Sequence, residues 1–551
     1  MSDHDSLAAD SFARWVIAAD RVRATTKRLE KLAVLEAYLP TLDDQSLSIA
    51  AHFFSGVVFP RHDQRTTRVG GSILWGALAE LTGASEEALA EAYTRHGDAG
   101  DMVGDVLASR PAGAQSLEWM SAQFASLAAV RGTGARRVIV RDTLGALGAD
   151  EARYFAKLLG GELRIGLKEA QVEEAVARVF GRTLGAVRHA NLLRGDVGEV
   201  AVLARRDALE EATLALFHPL GFMLAQPLPT AADIVATMPG PFVLEDKYDG
   251  IRAQAHVDGD DVRLYSRTLD DITHGYPDVV ASLRGLGRGL VLDGELLAVD
   301  PDEPRRARPF ATLQRRLGRK APTVELMAEL PVAFVAYDIL ASSSTLVIES
   351  AWRDRRSMLE SLAWPGDGAF LAPYRLVTTE VEVDAGFDAA RAGGNEGIIA
   401  KEPGSPYTPG RRGKTWIKLK RALATLDVVV TGAERGHGRR NGVLSDYTFA
   451  VRASESDPTL LNVGKAYNGL TDAEIAELTD RFKAITVQQF GRFHAVRPEV
   501  VLEVTFDIVQ KSARHKAGYA LRFPRIVRVR DDKPPTEIDT LQRVRELAGD
   551  A

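Results

Sequence analysis

Apolar residues in the first 215 positions recur at spacings of three and four, the period of one face of an α-helix. Leu32, Leu35 and Leu39 form such a stripe, and Pro40, with no amide hydrogen to continue the ladder, predicts its end. SILWGALAEL (72–81), SEEALAEAYTRH (85–96), EARYFAKLL (151–159) and VEEAVARVF (172–180) carry the same period, with little β-branched alternation between them. QSLSIAAHFF (45–54) is likewise expected to be a buried helix. Residues 1–215 therefore predict an all-α domain.

From about Met223 the period changes. PLPTAADIVATMPGP (227–241) is punctuated by Pro and Gly and is expected to be a linker. Beyond it Ile251, Ala253, Ala255 and Val257 alternate with polar residues, Asp258-Gly259 predicts a turn, and Val262 and Leu264 resume the alternation: a hairpin. GLVLDGELLAVD (289–300), PVAFVAYDIL (331–340) and EGIIAKEP (396–403) read as further strands with helical pieces between them. A mixed α/β domain with antiparallel sheets is expected over 216–421. Short strands then return in LDVVVTGAE (426–434), YTFAVRA (447–453), VVLEVTFDIV (500–509) and RIVRVR (525–530). Thr471 and Glu474 have capping-box spacing ahead of one helix, so 422–551 is expected to be a small all-β barrel carrying that helix.

The chain's 551 residues exceed one ordinary core, which agrees with several domains. Its 45% hydrophobic and 26% charged residues are those of a folded protein, and the net charge of −6 does not announce a nucleic-acid partner. Any such partner must be met by local positive charge. There is no cysteine, which excludes disulfides, zinc fingers and thiol catalysis; a metal must sit on oxygen or histidine, and oxygen favours Mg2+ or Mn2+. The acidic start MSDHDSLAADSFARW lacks the apolar core of a secretory signal, and no apolar run reaches the roughly 18 residues of a membrane span. The expected location is the cytoplasm, with no membrane association.

Chemistry concentrates in EDKYDGIR (245–252). If this stretch enters as a strand, Glu245, Lys247 and Asp249 share a face, and Lys247 is either a nucleophilic amine or a surface lysine paired with two carboxylates. Both carboxylates would favour its charged form, against nucleophilic use. Downstream, Glu295 and Glu396 suit Mg2+, which takes one or two carboxylates plus substrate phosphates. Lys418 and Lys420 alternate onto one strand face with Trp416, and with Lys401 and Arg252 are candidates for holding phosphate charge.

These segments, in this order, resemble the covalent nucleotidyltransferases: DNA ligases, RNA ligases and mRNA capping enzymes. KYDGIR is similar to the family's nucleophile motif, and the resemblance implies that Lys247 carries a nucleotide while Glu245 and Arg252 serve that nucleotide. YSRTLDDITHGYP (265–277) resembles the next element, with Arg267 against nucleotide or DNA phosphate. LDGEL (292–296) supplies Glu295, and FVAYDIL (334–340) supplies Tyr337 as the aromatic that stacks on adenine. EGIIAK (396–401) supplies Glu396 and Lys401; RRGKTWIKLK (411–420) supplies Arg412, Lys418 and Lys420; RFPRIVRVRDDK (522–533) presents Arg522 and Arg525 to the triphosphate or DNA.

Two features favour DNA within that superfamily. GELRIGLKEAQVEEAV (161–176) and LRGDVGEVA (193–201) resemble the helical DNA-binding domain of larger ATP-dependent DNA ligases, making Arg164 and Arg194 phosphate contacts. Positive charge also clusters: RRGKTWIKLKR holds six Lys or Arg in eleven residues. The third domain would then be an OB fold, a common nucleic-acid module. The reading is a monomeric ATP-dependent DNA ligase with ATP as substrate, Mg2+ (or Mn2+) as cofactor and nicked duplex DNA as partner, serving replication, repair or recombination. An RNA ligase, a capping guanylyltransferase and a non-catalytic nick-binding protein are the alternatives.

Overall fold

The computed structural model describes residues 7–419, 424–437 and 440–550, the side chain of Ala311 apart. The chain forms two compact units, Met1–Glu86 with Val103–Arg421, and Glu87–Met102 with Ala422–Ala551.

The first 206 residues carry the helices α1 (Phe12–Arg23), α2 (Arg28–Tyr38), α3 (Asp44–Phe54), α4 (Gly71–Thr82), α5 (Glu86–His96), α6 (Ala99–Val106), α7 (Leu117–Ala129), α8 (Thr133–Ala146), α9 (Ala149–Leu159), α10 (Glu169–Val179), α11 (Leu184–Arg194) and α12 (Val197–Arg206). Several starts are set by short polar side chains that accept from an otherwise unpaired backbone N–H: Ser11 from Arg14, Asp43 from Ser46, Ser116 from Trp119, Asp196 from Glu199. The apolar stripes converge on an aromatic cluster. Trp15 stacks on Phe12 at 5.5 Å and meets Phe53 and Tyr154 edge-on at 5.8 and 5.5 Å. Phe53 and Phe54 are both buried there, so residues 45–54 are an interior helix.

The rest of the first unit is built on two sheets, from β1 (Leu224–Leu228), β2 (Phe242–Lys247), β3 (Ile251–Asp258), β4 (Asp261–Ser266), β5 (Leu290–Ala298), β6 (Val332–Ser342), β7 (Thr345–Leu346), β8 (Ala369–Leu371), β9 (Tyr374–Val377), β10 (Gly397–Lys401) and β11 (Arg412–Leu419). One sheet has the order β1-β11-β10-β2-β9, the other β4-β3-β5-β6-β7 with β8 beside β6. All pairings are antiparallel except β1 with β11 and β6 with β8. Leu244, Ile398, Ala400 and Ile417 form the core of the first sheet under the helices 231–237 and 380–392, while Ala253, Ala255, Leu292 and Phe334 form that of the second.

Two expectations change here. Residues 227–241 are not a linker: Pro227 lies in β1, an edge strand where a missing N–H costs no ladder bond, and Thr230 caps the helix Ala231–Thr237. The connection is instead the strap 212–223, laid over the hairpin. That explains the second difference, because the polar positions Gln254 and His256 of β3 are fully buried. Gln254 Oε1 accepts from Leu220 N (2.8 Å) and its Nε2 donates to Leu220 O (3.2 Å). His256 Nδ1 accepts from Phe217 N (3.0 Å), and Tyr265 donates to Phe217 O (2.6 Å). The alternation reports an exposed face, but the strap covers that face and needs polar side chains to satisfy its backbone.

The second unit is strand-rich: β12 (Thr425–Arg435), β13 (Leu444–Arg452), β14 (Leu460–Ala466), β15 (Thr486–Phe490), β16 (Phe493–Val496), β17 (Val501–Thr505), β18 (Ile508–Lys511), β19 (Tyr519–Arg522) and β20 (Arg525–Val529). The long β12 pairs β13 on one side and β17 then β16 on the other, a division that bends the sheet around the core of Val428, Phe449, Leu502 and Val504. The expected capping box is present, Thr471 Oγ1 accepting from Glu474 N at the head of the helix Asp472–Ala484. Among the described residues no helix is long and apolar enough to cross a membrane.

Candidate active site

β2 enters between β10 and β9, with Val243 and Leu244 buried, and ends at Lys247. The chain then turns at Asp249-Gly250 into β3. Gly250 is demanded by packing: a Cβ there would overlap Leu296 O and the Glu295 side chain on β5. The glycine of the K-x-D-G pattern thus lets the nucleophile strand approach the strand that carries Glu295. Because β2 stops at Lys247, Asp249 falls beyond the alternation. The carboxylate in contact with Lys247 Nζ is Glu396, from the neighbouring strand end, rather than Glu245 or Asp249. A backbone bond and a side-chain bond hold this register: Glu396 N donates to Lys247 O (2.8 Å), and Asn395 Nδ2 donates to Asp246 Oδ2 (2.9 Å).

Lys247 opens onto a cavity of about 380 Å³, the size of a nucleotide site, between the two sheets. Glu245, Arg252, Arg267, Glu295, Tyr337, Glu396, Lys401, Arg412 and Lys418 line it, each as the sequence leads one to expect, together with Ile399 and Trp416. Lys420 lies outside the described residues. Arg267 and Arg412 are exposed and make no ion pair among the described residues, so both are available to an anion.

Glu245 is committed to Lys401 at 2.7 Å, with only 3% and 1% of these side chains exposed. Lys401 also donates to Tyr337 O (3.2 Å) and sits over the rings of Trp416 (4.2 Å) and Tyr337 (5.0 Å). Burial pushes the Glu245 carboxyl up, against the pull of Lys401. Its second oxygen, Oε1, is buried with no hydrogen-bond partner among the described residues, an acceptor suited to a donor such as an adenine amino group.

Glu295 is half-buried, and desolvation pushes its carboxyl up to about 8, against Arg252 and Lys247 and with help from the charges of Asp293 and Glu396. The charge of Glu396 adds to the push on Glu295, and a divalent cation held by the two carboxylates would relieve it while taking phosphate oxygens and water in its remaining positions. Glu295 and Glu396 are therefore a fitting pair for Mg2+.

Two residues not singled out in the sequence stand behind the cavity lining and hold Arg252 in place. Asp293, fully buried two positions before Glu295, receives Arg252 in a bidentate pair at 3.1 and 2.7 Å. Tyr407 donates to the same carboxylate (2.7 Å) and accepts from Met223 N (2.9 Å). Asp293 was legible as the same-face neighbour of Glu295; Tyr407, on a loop, carries no local signal.

The remaining sequence candidates are placed elsewhere. Arg164 has a positive φ of 55° and pairs with Glu162 at 2.8 Å; Arg194 pairs with Glu199 at 2.8 Å. Arg522 lies over the Phe523 ring and Arg525 pairs with Asp507 at 3.4 Å, both in the second unit.

Comparison with known proteins agrees with this architecture. Residues 222–420 match the family described as "ATP dependent DNA ligase domain", 11–177 "DNA ligase N terminus", and 440–533 "ATP dependent DNA ligase C terminal region". A probable DNA ligase of Koribacter versatilis is 45% identical over 553 residues, covering 96% of this chain and 95% of the relative. A DNA ligase of Methanoculleus marisnigri is 37% identical over 549 residues, covering 98% of each. The solved structure designated Pmar-Lig_PreS3 shares the fold, with a TM-score of 0.59 over 94% of this chain and 99% of that one at 16% identity. With three family regions in order and relatives matched over nearly their whole length, the chain belongs to the ATP-dependent DNA ligase family.

Proposed function

We propose that this chain seals nicks in duplex DNA with ATP, through an AMP group carried on Lys247. The observation that carries the reading is the position of Lys247: at the end of a central strand, touching Glu396, on the wall of a cavity where Arg267, Arg412 and Lys418 surround the space beside it.

The chemistry follows as three phosphoryl transfers, in which positioning and charge stabilisation supply most of the catalysis. Contact with Glu396 favours the charged form of Nζ, so the proton leaves Nζ to solvent once a cation draws the Glu396 carboxylate away. The free amine attacks the α-phosphorus of ATP, a P–N bond forms, the bond to the β-phosphate oxygen breaks and pyrophosphate leaves. Tyr337 stacks on the adenine, Glu245 Oε1 accepts from its amino group, and Arg267, Arg412, Lys418 and Lys420 hold the phosphate charge. Mg2+ on Glu295 and Glu396 would neutralise charge developing on the phosphates. The AMP then passes from Lys247 to the 5′-phosphate at a nick, and the 3′-hydroxyl displaces it to close the strand.

In this reading residues 1–215 hold the duplex through contacts that include Arg164 and Arg194. Residues 216–421 carry the adenylation chemistry, and 422–551 bring Arg522 and Arg525 to the triphosphate or DNA. The enzyme works as a monomer in the cytoplasm, with the chromosome as substrate, in replication, repair or recombination.

Incubation with α-labelled ATP and Mg2+, followed by nicked DNA, tests the proposal. The wild-type chain is expected to form an acid-labile adduct that is chased by nicked DNA, and Lys247→Ala to form none. No adduct on the wild type, or an undiminished one on Lys247→Ala, refutes the reading. Labelling by GTP in place of ATP turns it toward the capping enzymes.

A further inference from the structure

Arg267 stands on a tight turn, and the residue that holds this turn from outside comes from the helical region. Within the turn Leu269 N donates to Ser266 O (2.8 Å) and Ser266 N donates to Asp270 O (2.9 Å). Leu269 is forced to a φ of 69°, a left-handed conformation that costs a residue with a Cβ and persists only where surroundings hold it. The side chains of Ser266, Thr268 and Asp270 bond one another on the inner side of the turn. Its outer backbone groups meet Gln64. Gln64 Nε2 donates to Leu269 O (3.2 Å), and Gln64 Oε1 accepts from Asp271 N (2.8 Å), so one amide closes the turn the way a neighbouring strand would.

Gln64 is itself on braced ground. Its segment, residues 57–67 between α3 and α4, is tied to the helical region by Arg61, whose backbone N donates to Gly195 O (3.2 Å) and whose side chain pairs with Glu169 (2.8 Å). Arg65 pairs with Asp63 and lies 4.6 Å over the Phe59 ring, and His62 stacks on His218 at 3.8 Å. A fixed donor and acceptor are therefore presented to a strained turn. The residue next to that turn's start, Arg267, lines the nucleotide cavity and also the groove between the turn and residues 56–67.

We infer that Gln64 is a positioning residue for Arg267: by clasping the 266–271 turn with both ends of its amide, it sets the direction of the Arg267 guanidinium at the nucleotide cavity. Docking of the DNA-holding region and the phosphate chemistry are thereby joined through one side chain. The inference rests on the ligase reading, in which Arg267 meets a phosphate.

The test is a double-mutant cycle on the full chain, with two rates measured separately: adduct formation on Lys247 from labelled ATP, and transfer of AMP from the preformed adduct to a nicked duplex. Arg267→Ala identifies the step that Arg267 serves. Gln64→Ala is expected to slow that same step about tenfold, the scale of one to two net hydrogen bonds, and to change it less than about twofold when Arg267 is already alanine. Gln64→Glu, which keeps the acceptor for Asp271 N and loses the donor to Leu269 O, is expected to fall between. A merely structural contact predicts the same factor in both backgrounds, and that result overturns the inference. So does a wild-type rate in Gln64→Ala, or an Arg267→Ala variant unaffected in both steps while Lys247→Ala still abolishes the adduct; that last outcome leaves the ligase reading standing. Failure of the wild-type chain to form any adduct sinks the ligase reading instead.

Discussion

Lys401 and Glu245 form an ion pair of 2.7 Å inside the nucleotide cavity, on adjacent strands and diagonal to each other, with almost no exposed surface on either side chain. Removing one member of such a pair strands the other as a buried charge, a cost of about 3–5 kcal/mol. Lys401→Met is therefore expected to destabilise the first unit by that amount in urea titration, while Lys247→Met, whose side chain is partly exposed, costs far less. The double variant Glu245→Gln/Lys401→Met should recover much of the loss. Equal stability of Lys401→Met and wild type would show that the pair carries no weight.

Tyr337 tests the adenine platform. Its ring faces the cavity, and its hydroxyl donates to no described group. Stacking of a base on an aromatic is worth about 1–3 kcal/mol, so Tyr337→Ala is expected to raise the ATP concentration for half-maximal adduct formation about 5- to 150-fold. Tyr337→Phe keeps the π-face and should stay within about twofold. A large effect of the phenylalanine variant would instead assign the hydroxyl a contact with the nucleotide.

His256 gives a pH dependence with a definite sign. Complete burial under the strap, with a smaller push from His218, lowers its pKa to about 3, and protonation of Nδ1 would also cost the bond it accepts from Phe217 N. The unfolded chain takes up this proton below about pH 6.5, so the contribution is whole above that value and is lost as pH falls from 6.5 toward 3. At pH 5 the loss is about 2 kcal/mol. His256→Asn retains an acceptor and removes the titration. Its deficit in unfolding free energy relative to wild type should shrink by about 2 kcal/mol between pH 7.5 and pH 5, measured by denaturant titration at each pH. A constant deficit would mean that His256 protonates as easily in the fold as out of it.

What the chain determined by itself is local. The stripe of Leu32 and Leu35, the hairpin from Ile251 to Ser266 and the cap of Thr471 on Glu474 were legible because helical period, strand alternation and capping act over a few residues. The identities of Lys247, Glu295, Tyr337, Glu396, Lys401 and Lys418 were legible from ordered motifs, and the fold brings all of them to one cavity. Tertiary structure decided the partners. Lys247 meets Glu396, 149 positions away, and not the carboxylates beside it in the chain, because strand order and register set what faces what while alternation reports only a residue's own side. The burial of Gln254 and His256 likewise follows from a strap that no pattern in β3 foretells. The anchoring of Arg267 by Gln64, across 205 positions, is of the same kind: a backbone turn advertises its need for a donor and an acceptor, but only packing of the helical region says which side chain supplies them.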